Sequence, residues 1–445
     1  MVHAEALSTL HPAAGATAAI VEFVGELRHA ALPDEVRHYA RRHLLDTVGV
    51  MIAGAGGDVA TRAEAVLAAA RPAGHIPVPG RARRADVIDA AFLGGTAAHG
   101  IELDDGFRQG SVHPGCVVVP AVLALGYDRH ADGRAVMRQR GFHPTAAVGV
   151  FGSAAAVGKL RGLSADALAN ALGLAASSAA GLFAFVNGGG DIKRLHAGHA
   201  AREGLQAALL AEQGVEGPPD VIEARDGFMQ AFAFGRADKA RAMALPPAAP
   251  FGITDCYIKP YPCCRHIQPA LEALIGLLND EAIASEEVQR IDVATYRIAA
   301  EHAETRWDDF ASAQLSFPYL MGLALKFRAV KFEHFSEQTR RDPAFGAIAR
   351  KLSVTAPADV DRLYPQLRPA RVTVTTARGS FTRQADEALG SRIVPLDDAG
   401  LTAKFLDLVG PVLGAARAKD LGERLWSLDA ISDVAALVES MAKPA

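Results

Sequence analysis

The sequence predicts a mainly α protein with two domains: a larger helical domain in residues 1–247, completed by residues 397–445, and a smaller α+β domain in residues 248–396. Three observations predict this. Apolar residues recur at helical spacing through the first half of the chain. Strand-like alternation is found after a proline cluster, Pro246-Pro247-Ala-Ala-Pro250, which we interpret as a domain boundary. Helical spacing then returns, so both chain ends are expected in the larger domain.

Length and composition bound the class of protein. At 445 residues the chain is long for a single core, which also favours two domains. Half of the residues are hydrophobic and 22% are charged, as is typical of a soluble globular enzyme. The formal net charge of −4 argues against a nucleic-acid partner, so any recognition of anions must be local.

The cysteines and the N-terminus indicate a cellular compartment. The four cysteines form no C-x-x-C pair and no disulfide framework, which predicts reduced thiols; they are Cys116, Cys256, Cys263 and Cys264. The N-terminus lacks a basic segment followed by an apolar one, and no apolar segment is long enough to span a bilayer. We therefore expect a cytoplasmic protein with no membrane partner.

Helix signals follow one another through the first half. Pro33-Asp34-Glu35 puts a proline and two acids where a first turn prefers them, and apolar residues recur every four positions from Val36 to Ile52. The alanine- and glycine-rich residues 85–100 predict a helix packed closely on several faces. The predicted helices lie in residues 17–54, 61–70, 85–100 and 117–126, then from Ser164 onward, and after the glycines at 188–190 as far as about Gln213.

Strand signals are confined to the smaller domain. Residues 288–296 alternate as a strand does, and residues 371–376 and 378–383 predict a hairpin with a glycine turn. Helices are predicted beside these strands and after them, in residues 268–278, 311–325, 401–409 and 430–441. This part of the chain is therefore α+β, and the last helices resemble those of the first domain.

A glycine-rich stretch is the first candidate for a site. Residues 187–190 are Asn-Gly-Gly-Gly, and Lys193, Arg194 and His196 follow at helical spacing. Glycines let a ligand approach the backbone closely, and a helix that opens after them presents unpaired N–H groups to an anion. The stretch thus predicts an anion pocket; the alternative is a surface loop followed by a packing helix.

Two His-Pro pairs, at His113 and His143, precede small-residue helices and form a second candidate. Imidazole titrates near neutral pH, so these histidines are candidates for a general base and a general acid. With proline at the first helical position, the histidine would lie at the helix cap and could face a cleft. The alternative is a purely structural cap.

The motifs together resemble those of the MmgE/PrpD family, which includes 2-methylcitrate dehydratase, cis-aconitate decarboxylase and iminodisuccinate epimerase. The matching segments occur in the family's order; they are residues 45–49, 99–105, 113–114, 141–146, 193–202, 259–266 and 316–319. The resemblance implies a large all-helical domain formed by both chain ends plus a smaller α+β lid domain, usually in a homodimer. It also implies chemistry beside a carboxylate of a small di- or tricarboxylic acid, without a metal or organic cofactor.

Carried over by position, the resemblance implies a set of site residues. Those assigned to catalysis are His143, His113, Asp104, Lys193 and Tyr319, and those assigned to substrate binding are Lys259, Arg265 and Cys264. Arg194 and His196 are added as substrate-binding residues from the anion pocket predicted after the glycines, not from the resemblance. Breaking a bond beside a carboxylate requires a base and preorganised cations for the extra negative charge, which suits these residue types. Arginine can hold a carboxylate with two hydrogen bonds.

Each assignment has an alternative. The lysines could be surface ammonium groups, Asp104 could cap a helix instead of orienting a histidine or lysine, and Tyr319 could be a core aromatic instead of a donor to a leaving hydroxyl. Cys264 is not expected to be a nucleophile. A metal site is also conceivable, although the nearby lysines would oppose a cation; its ligands would be Asp104, Asp105, His113 and His143.

The chain departs from the family pattern at two places. Residues 128–140 are polar and shorter than the helix that the family usually has there, and Arg194 stands where the family often has proline. A hydro-lyase that eliminates water is the first expectation. An epimerase or isomerase and a decarboxylase share its carbanion, so the sequence does not separate them. The alternative from another class is an inactive binding or scaffold protein.

Overall fold

The fold was examined in a computed structural model that describes residues 15–108, 113–128, 145–181, 191–233 and 251–443. It is mainly helical, as predicted. The predicted site residue His143 and the glycines at 188–190 lie outside the described residues. No single described helix is both long and apolar enough to cross a bilayer; Asp34–Gly54 and Asp58–Ala70 meet that requirement only as a pair, bent by 74°.

The helices of the first half occupy the predicted segments. They are α1 (Ala16–Glu26), α2 (Asp34–Gly54), α3 (Asp58–Ala70), α4 (Val87–His99), α5 (Gly115–Asp128), α6 (Gly149–Arg161), α7 (Ala165–Ser177), α8 (Ile192–Glu212) and the short α9 (Phe228–Ala233). The predicted segment 17–54 is two helices, because the chain leaves α1 at Leu27 and re-enters a helix after Pro33. Ser164 caps α7 by accepting a hydrogen bond from the Ala167 N–H at 3.2 Å.

Close contacts between helices depend on small residues, as predicted for residues 85–100. A Cβ atom on Gly95 of α4 would lie 2.8 Å from the Gly198 Cα of α8, and one on Gly49 of α2 would lie 2.9 Å from the Phe405 ring. Both distances are shorter than van der Waals contact, so these positions accept only glycine without a shift. The crossing at Gly95 and Gly198 fixes the end of α4 relative to the start of α8, where site residues lie.

The remaining elements alternate short helices and strands. The helices are α10 (Gln268–Asp280), α11 (Arg297–Ala300), α12 (Phe310–Ala313), α13 (Phe317–Phe327), α14 (Glu337–Arg340), α15 (Ala344–Ala349), α16 (Ala358–Asp361), α17 (Asp398–Leu413), α18 (Ala415–Trp426) and α19 (Ala435–Met441). The strands are β1 (Ile76–Pro77), β2 (Arg84–Ala85), β3 (Gly106–Phe107), β4 (Cys256–Tyr257), β5 (Arg290–Thr295), β6 (Leu352–Thr355), β7 (Ala370–Thr376) and β8 (Gly379–Ala385).

A four-stranded sheet with the order β6-β5-β7-β8 confirms the predicted strand and hairpin. β5 runs parallel to β6 and antiparallel to β7. The hairpin turns through Ala377 and Arg378, and Gly379, whose φ is +129°, begins β8 directly after the turn. β7 alternates buried and half-buried residues, so one face of the sheet packs on α10 and α13. Strand β6 was not predicted, and the helix predicted over 311–325 is broken at Ser316, which caps α13.

Two large hydrophobic clusters organise the described residues. The helical cluster contains α1 to α8 together with side chains of α17 to α19, and the sheet cluster draws on residues 263–374. The C-terminal helices therefore pack with the first half of the chain, through contacts such as Phe405 against α2. The exact domain boundaries, and the role of the smaller part as a lid, stay predictions.

Candidate active site

The site begins where α4 ends, at His99. The chain turns through Glu102, whose φ of +56° lies in the left-handed region, and continues through Asp104 and Asp105 into β3. That conformation costs a non-glycine residue about 1 kcal/mol, so the surrounding contacts must hold it. Lys404 of α17 helps to do so, since its Nζ donates to the Leu103 carbonyl oxygen at 3.3 Å. The turn projects three acidic side chains from a short segment.

Asp104 is the centre of the site and is completely buried. Its Oδ2 lies 2.6 Å from His99 Nδ1 and 3.2 Å from His113 Nδ1. Burial alone would raise the pKa of Asp104, but His113, His99 and Lys259 hold that pKa well below its usual range. Burial lowers the pKa of His99, against the attraction of Asp104. One buried carboxylate therefore orients two imidazole rings.

The tautomer of His113 follows from its acceptors. Its Nδ1 also lies 2.7 Å from the Asp105 carbonyl oxygen, which can only accept, so Nδ1 carries the proton. Exchange of a proton with a substrate would therefore use Nε2. The sequence predicts Pro114 at the first helical position, but the structure places it one residue earlier, at the cap of α5. Its carbonyl accepts the first helical hydrogen bond, from the Val118 N–H at 3.1 Å, so His113 precedes the cap.

Two lysines converge on the same turn. Lys259, only 2% exposed, has its Nζ 3.0 Å from the Glu102 carbonyl oxygen, 3.5 Å from Glu102 Oε2 and 3.7 Å from Asp104 Oδ1. Lys193, at the start of α8, donates to Glu102 Oε1. Burial opposes the charged form of Lys259, but Glu102 and Asp104 raise its pKa above the usual range. Likewise, Lys193 and Lys259 outweigh burial and lower the pKa of Glu102. The Lys259 ammonium is thus held charged, and both lysines contact the Glu102 carboxylate.

The arrangement does not favour a metal ion. Donor atoms of His99, Asp104 and His113 lie within 4.8 Å of one another, which would suit a cation by spacing alone. However, the Lys259 ammonium lies 3.7 Å from Asp104 and would repel a cation bound there. Asp105, a ligand of the metal site considered from the sequence, points elsewhere: its Oδ1 accepts from the Gly115 N–H at 3.0 Å.

Arg265 is used by the protein itself. Its guanidinium donates to Gln268 Oε1 at 2.7 Å, to the Leu389 carbonyl at 2.7 Å and to the Ala388 carbonyl at 3.0 Å. It is 5% exposed and its Cζ lies 4.7 Å from the centre of the Tyr257 ring. Because its two terminal nitrogens are engaged, Arg265 fastens the chain around residue 388, and the geometry does not support the carboxylate-binding role assigned to it.

Tyr319 likewise belongs to the sheet cluster. It is completely buried, and its hydroxyl donates to the His334 carbonyl oxygen at 2.6 Å. Its ring packs against Trp307 and Phe345, with centroids 6.0 and 4.8 Å away. These contacts favour the core alternative, because the hydroxyl already has an acceptor and is shielded from a cleft.

The other expected binding residues have local partners. Cys264 Sγ lies 3.8 Å from His302 Nε2; burial would raise the pKa of Cys264, but that imidazole outweighs burial and lowers it. Arg194 donates to Asp191 at 2.7 Å and its Cζ lies 5.4 Å from the Phe310 ring centre. Burial lowers the pKa of His196. None of these contacts tests substrate binding.

The structure adds residues that the sequence did not single out. His99 and Glu102 lie beside the predicted Asp104, His113, Lys193 and Lys259. Both residues belong to the motif 99–105, so the motif could have identified them as site residues. Behind them is a buried polar layer in which His43 contacts Asp105 at 2.9 Å and Lys404 pairs with Asp46. Lys404 could not be foreseen, since 300 residues separate it from the turn that it supports.

Comparisons with known proteins identify the family of this chain. The family model described as the MmgE/PrpD N-terminal domain matches residues 18–141 and 135–240, and the MmgE/PrpD C-terminal domain model matches residues 261–428. A cis-aconitate decarboxylase of Aspergillus terreus is 25% identical over 97% of this chain and 96% of its own length. A cis-aconitate decarboxylase of Mus musculus is 25% identical over 93% of this chain and 90% of its own, and one of Homo sapiens is 33% identical over 31% of this chain and 34% of its own. From these matches, the chain belongs to the MmgE/PrpD family.

Proposed function

We propose that this protein is a cofactor-independent lyase that acts beside a carboxylate of a small di- or tricarboxylic acid. The observation that carries the proposal is the shared contact of His99 and His113 with the buried Asp104, beside two lysines that both pair with Glu102. Proton transfer and charge stabilisation are thereby available at one place. Among such reactions we put decarboxylation of cis-aconitate first, because relatives that align over nearly the whole chain carry that name.

His113 is the proposed proton-transfer residue. With Nδ1 tied to the Asp105 carbonyl and Asp104, its Nε2 lone pair can accept a proton, and the resulting imidazolium can return one. Asp104 stabilises that imidazolium by a charge-assisted contact, as an orienting carboxylate does. His143, assigned from the family resemblance, is the proposed second proton-transfer residue.

Lys259 and Lys193 are the proposed cations for substrate carboxylates and for the charge that develops during the reaction. In a buried site a preorganised cation contributes more than in water, and removing one such group commonly costs about 3–4 kcal/mol of barrier. Glu102 keeps the two ammonium groups together before substrate arrives, since it accepts from both. Substrate carboxylates would then bind to groups that are already oriented.

For cis-aconitate the step balances without a cofactor. The bond from carbon to the departing carboxylate breaks and releases CO2. Its electron pair forms a new double bond, while the pair of the original double bond takes a proton from the acid. The lysines stabilise the negative charge along this path, and the imidazolium is the acid. Dehydration or epimerisation would use the same charge stabilisation with a proton removed first, so these remain the second candidates.

Proton NMR of the EDTA-treated protein in D2O tests the proposal. The substrates would be cis-aconitate, citrate, 2-methylcitrate, malate and tartrate. A new terminal alkene with one incorporated deuteron, together with released CO2, is expected from cis-aconitate. An alkene formed from citrate or 2-methylcitrate would indicate a hydro-lyase, and exchange of a proton beside a carboxylate without an alkene would indicate an epimerase.

The proposal fails if no substrate changes while a polycarboxylate still binds; the protein would then be an inactive binding homologue. It also fails in its cofactor-independent form if EDTA abolishes an activity that Zn²⁺ or Mg²⁺ restores. The homodimer that the family resemblance implies is a separate proposal. A size-exclusion elution volume that corresponds to twice the chain mass of 46.6 kDa would support it.

A further inference from the structure

Arg368 is a largely buried cation to which the described residues offer no hydrogen-bond acceptor. Its side chain precedes β7 and the residue is 8% exposed. Among the described residues, no carboxylate or carbonyl oxygen accepts a hydrogen bond from its guanidinium, and its Nε is completely enclosed. Its Cζ lies 5.9 Å from the centre of the Tyr257 ring, over the face of that ring. Enclosing the Nε–H donor of Arg368 without an acceptor is unfavourable.

The neighbouring charges do not compensate Arg368. Arg265 lies over the same Tyr257 ring, so two guanidinium groups share one aromatic side chain. Of the carboxylates near these guanidinium groups, the buried Glu387 is paired at 2.7 Å with Arg108, and Glu272 accepts a hydrogen bond from Tyr261. The surroundings thus hold an excess of positive charge, which an anion would neutralise.

Tyr257 connects this neighbourhood to the proposed active site. Tyr257 in β4 pairs with Gly106 in β3, and Gly106 directly follows Asp104 and Asp105 in the chain. A Cβ atom on Gly106 would lie only 2.4 Å from the Tyr257 hydroxyl oxygen, so the phenol end of the ring rests on that turn. Lys259 follows two residues later. An anion beside Tyr257 and Arg368 would therefore border the Asp104 site.

We propose that Arg368 binds one carboxylate of the substrate beside Tyr257, the role that the sequence assigned to Arg265. This proposal rests on the proposed function, because it names a second carboxylate subsite of the same cleft. The chemical reason is that three N–H groups of Arg265 donate to Gln268, Ala388 and Leu389, whereas no described residue accepts a hydrogen bond from the guanidinium of Arg368. A planar guanidinium suits a carboxylate held by two hydrogen bonds.

Calorimetric binding of tricarballylate, an unreactive saturated tricarboxylate, tests the subsite. We expect Arg368→Gln to weaken binding by about 10- to 100-fold, the usual effect of losing one charge-assisted contact. Arg368→Lys keeps the charge without the planar pair of donors and should restore part of the affinity. The matched control is Arg371→Gln, on the adjacent strand, where the side chain is 38% exposed and paired with Asp359.

The melting temperature of the ligand-free protein distinguishes a binding role of Arg368 from a structural one. Because the unpaired cation is unfavourable when no anion is bound, Arg368→Met should raise the melting temperature of the ligand-free protein while weakening tricarballylate binding. If Arg368 merely supported the fold, the same change would lower the melting temperature and leave binding to the folded protein unaltered.

The outcomes separate the two proposals. If Arg368→Gln binds tricarballylate as tightly as the natural protein, the subsite is wrong, whatever the enzyme catalyses. If the natural protein binds neither tricarballylate nor citrate, the subsite is also wrong. Binding that depends on Arg368, in a protein that converts no substrate, would uphold the subsite and reject the lyase.

Discussion

Buried polar groups serve different purposes in the two hydrophobic clusters. At the edge of the helical cluster, Asp104 contacts two histidines and a lysine that come from separate elements. In the sheet cluster, Tyr319 and Arg265 direct their donors to backbone carbonyls of their own surroundings. The same residue types thus hold ionised groups together in one place and fasten chain segments in the other. Substitutions should therefore reduce activity in the first region and stability in the second.

The largest expected effect is that of Asp104→Asn. The amide keeps the shape but cannot stabilise an imidazolium, and its NH2 group opposes the Nδ1–H of His99 or His113. We expect kcat with the substrate found by NMR to fall by about 10²- to 10⁴-fold, the usual worth of general acid–base catalysis. Asp308→Asn, an exposed substitution, is the control. An Asp104→Asn enzyme within tenfold of natural activity would contradict the central role of this carboxylate.

Arg265→Met should act chiefly on stability. It removes the donors that two backbone carbonyls and Gln268 accept inside the protein, and unsatisfied buried acceptors cost about 1–3 kcal/mol each. We expect the free energy of unfolding in urea to fall by about 3 kcal/mol. Arg290→Met, whose side chain is exposed and pairs with nearby Asp292, should change that free energy by less than about 0.5 kcal/mol. A stable Arg265→Met protein with weakened substrate binding would instead indicate that Arg265 binds the substrate.

Acid should weaken the Asp104 region. The folded-state pKa values of Asp104 and Glu102 lie below those of the unfolded chain, about 3.9 and 4.3. Their contribution to stability is therefore complete above about pH 4 and is lost as the pH falls further. Each carboxylate contributes a slope of at most about 1.4 kcal/mol per pH unit. Urea titrations between pH 3 and 7 should show a shallower decline for Glu102→Gln; equal slopes would mean that Glu102 is not held ionised.

The smallest expected effect is that of Tyr319→Phe. This change removes the hydrogen bond to the His334 carbonyl but keeps the packed ring, so we expect a loss of about 1 kcal/mol in the free energy of unfolding and unchanged kcat. Tyr319→Leu, which also loses the ring contacts with Trp307 and Phe345, should cost more. A large fall in kcat for Tyr319→Phe, without a change in stability, would show that the hydroxyl meets the substrate after all.

Much of the fold was predictable because its signals are local. Helix starts such as Asp34 after Pro33, the cap at Ser164 and the hairpin turn before Gly379 depend on a few neighbouring residues. The family motifs also pointed to Asp104, His113, Lys193 and Lys259, which the structure brings together around one turn. Strand β6 escaped prediction because it is four residues long and lacks clear alternation of burial.

By itself, the sequence determined the helical class, the strand segment and the residue types of the site. Only the tertiary structure decided which charged group meets which partner. Arg265 and Arg368 are chemically identical, yet carbonyl groups more than 120 residues along the chain engage one, and no acceptor among the described residues engages the other. Whether a buried charge stabilises or destabilises the fold depends on the atoms within a few ångströms of it, and distant chain segments supply those atoms.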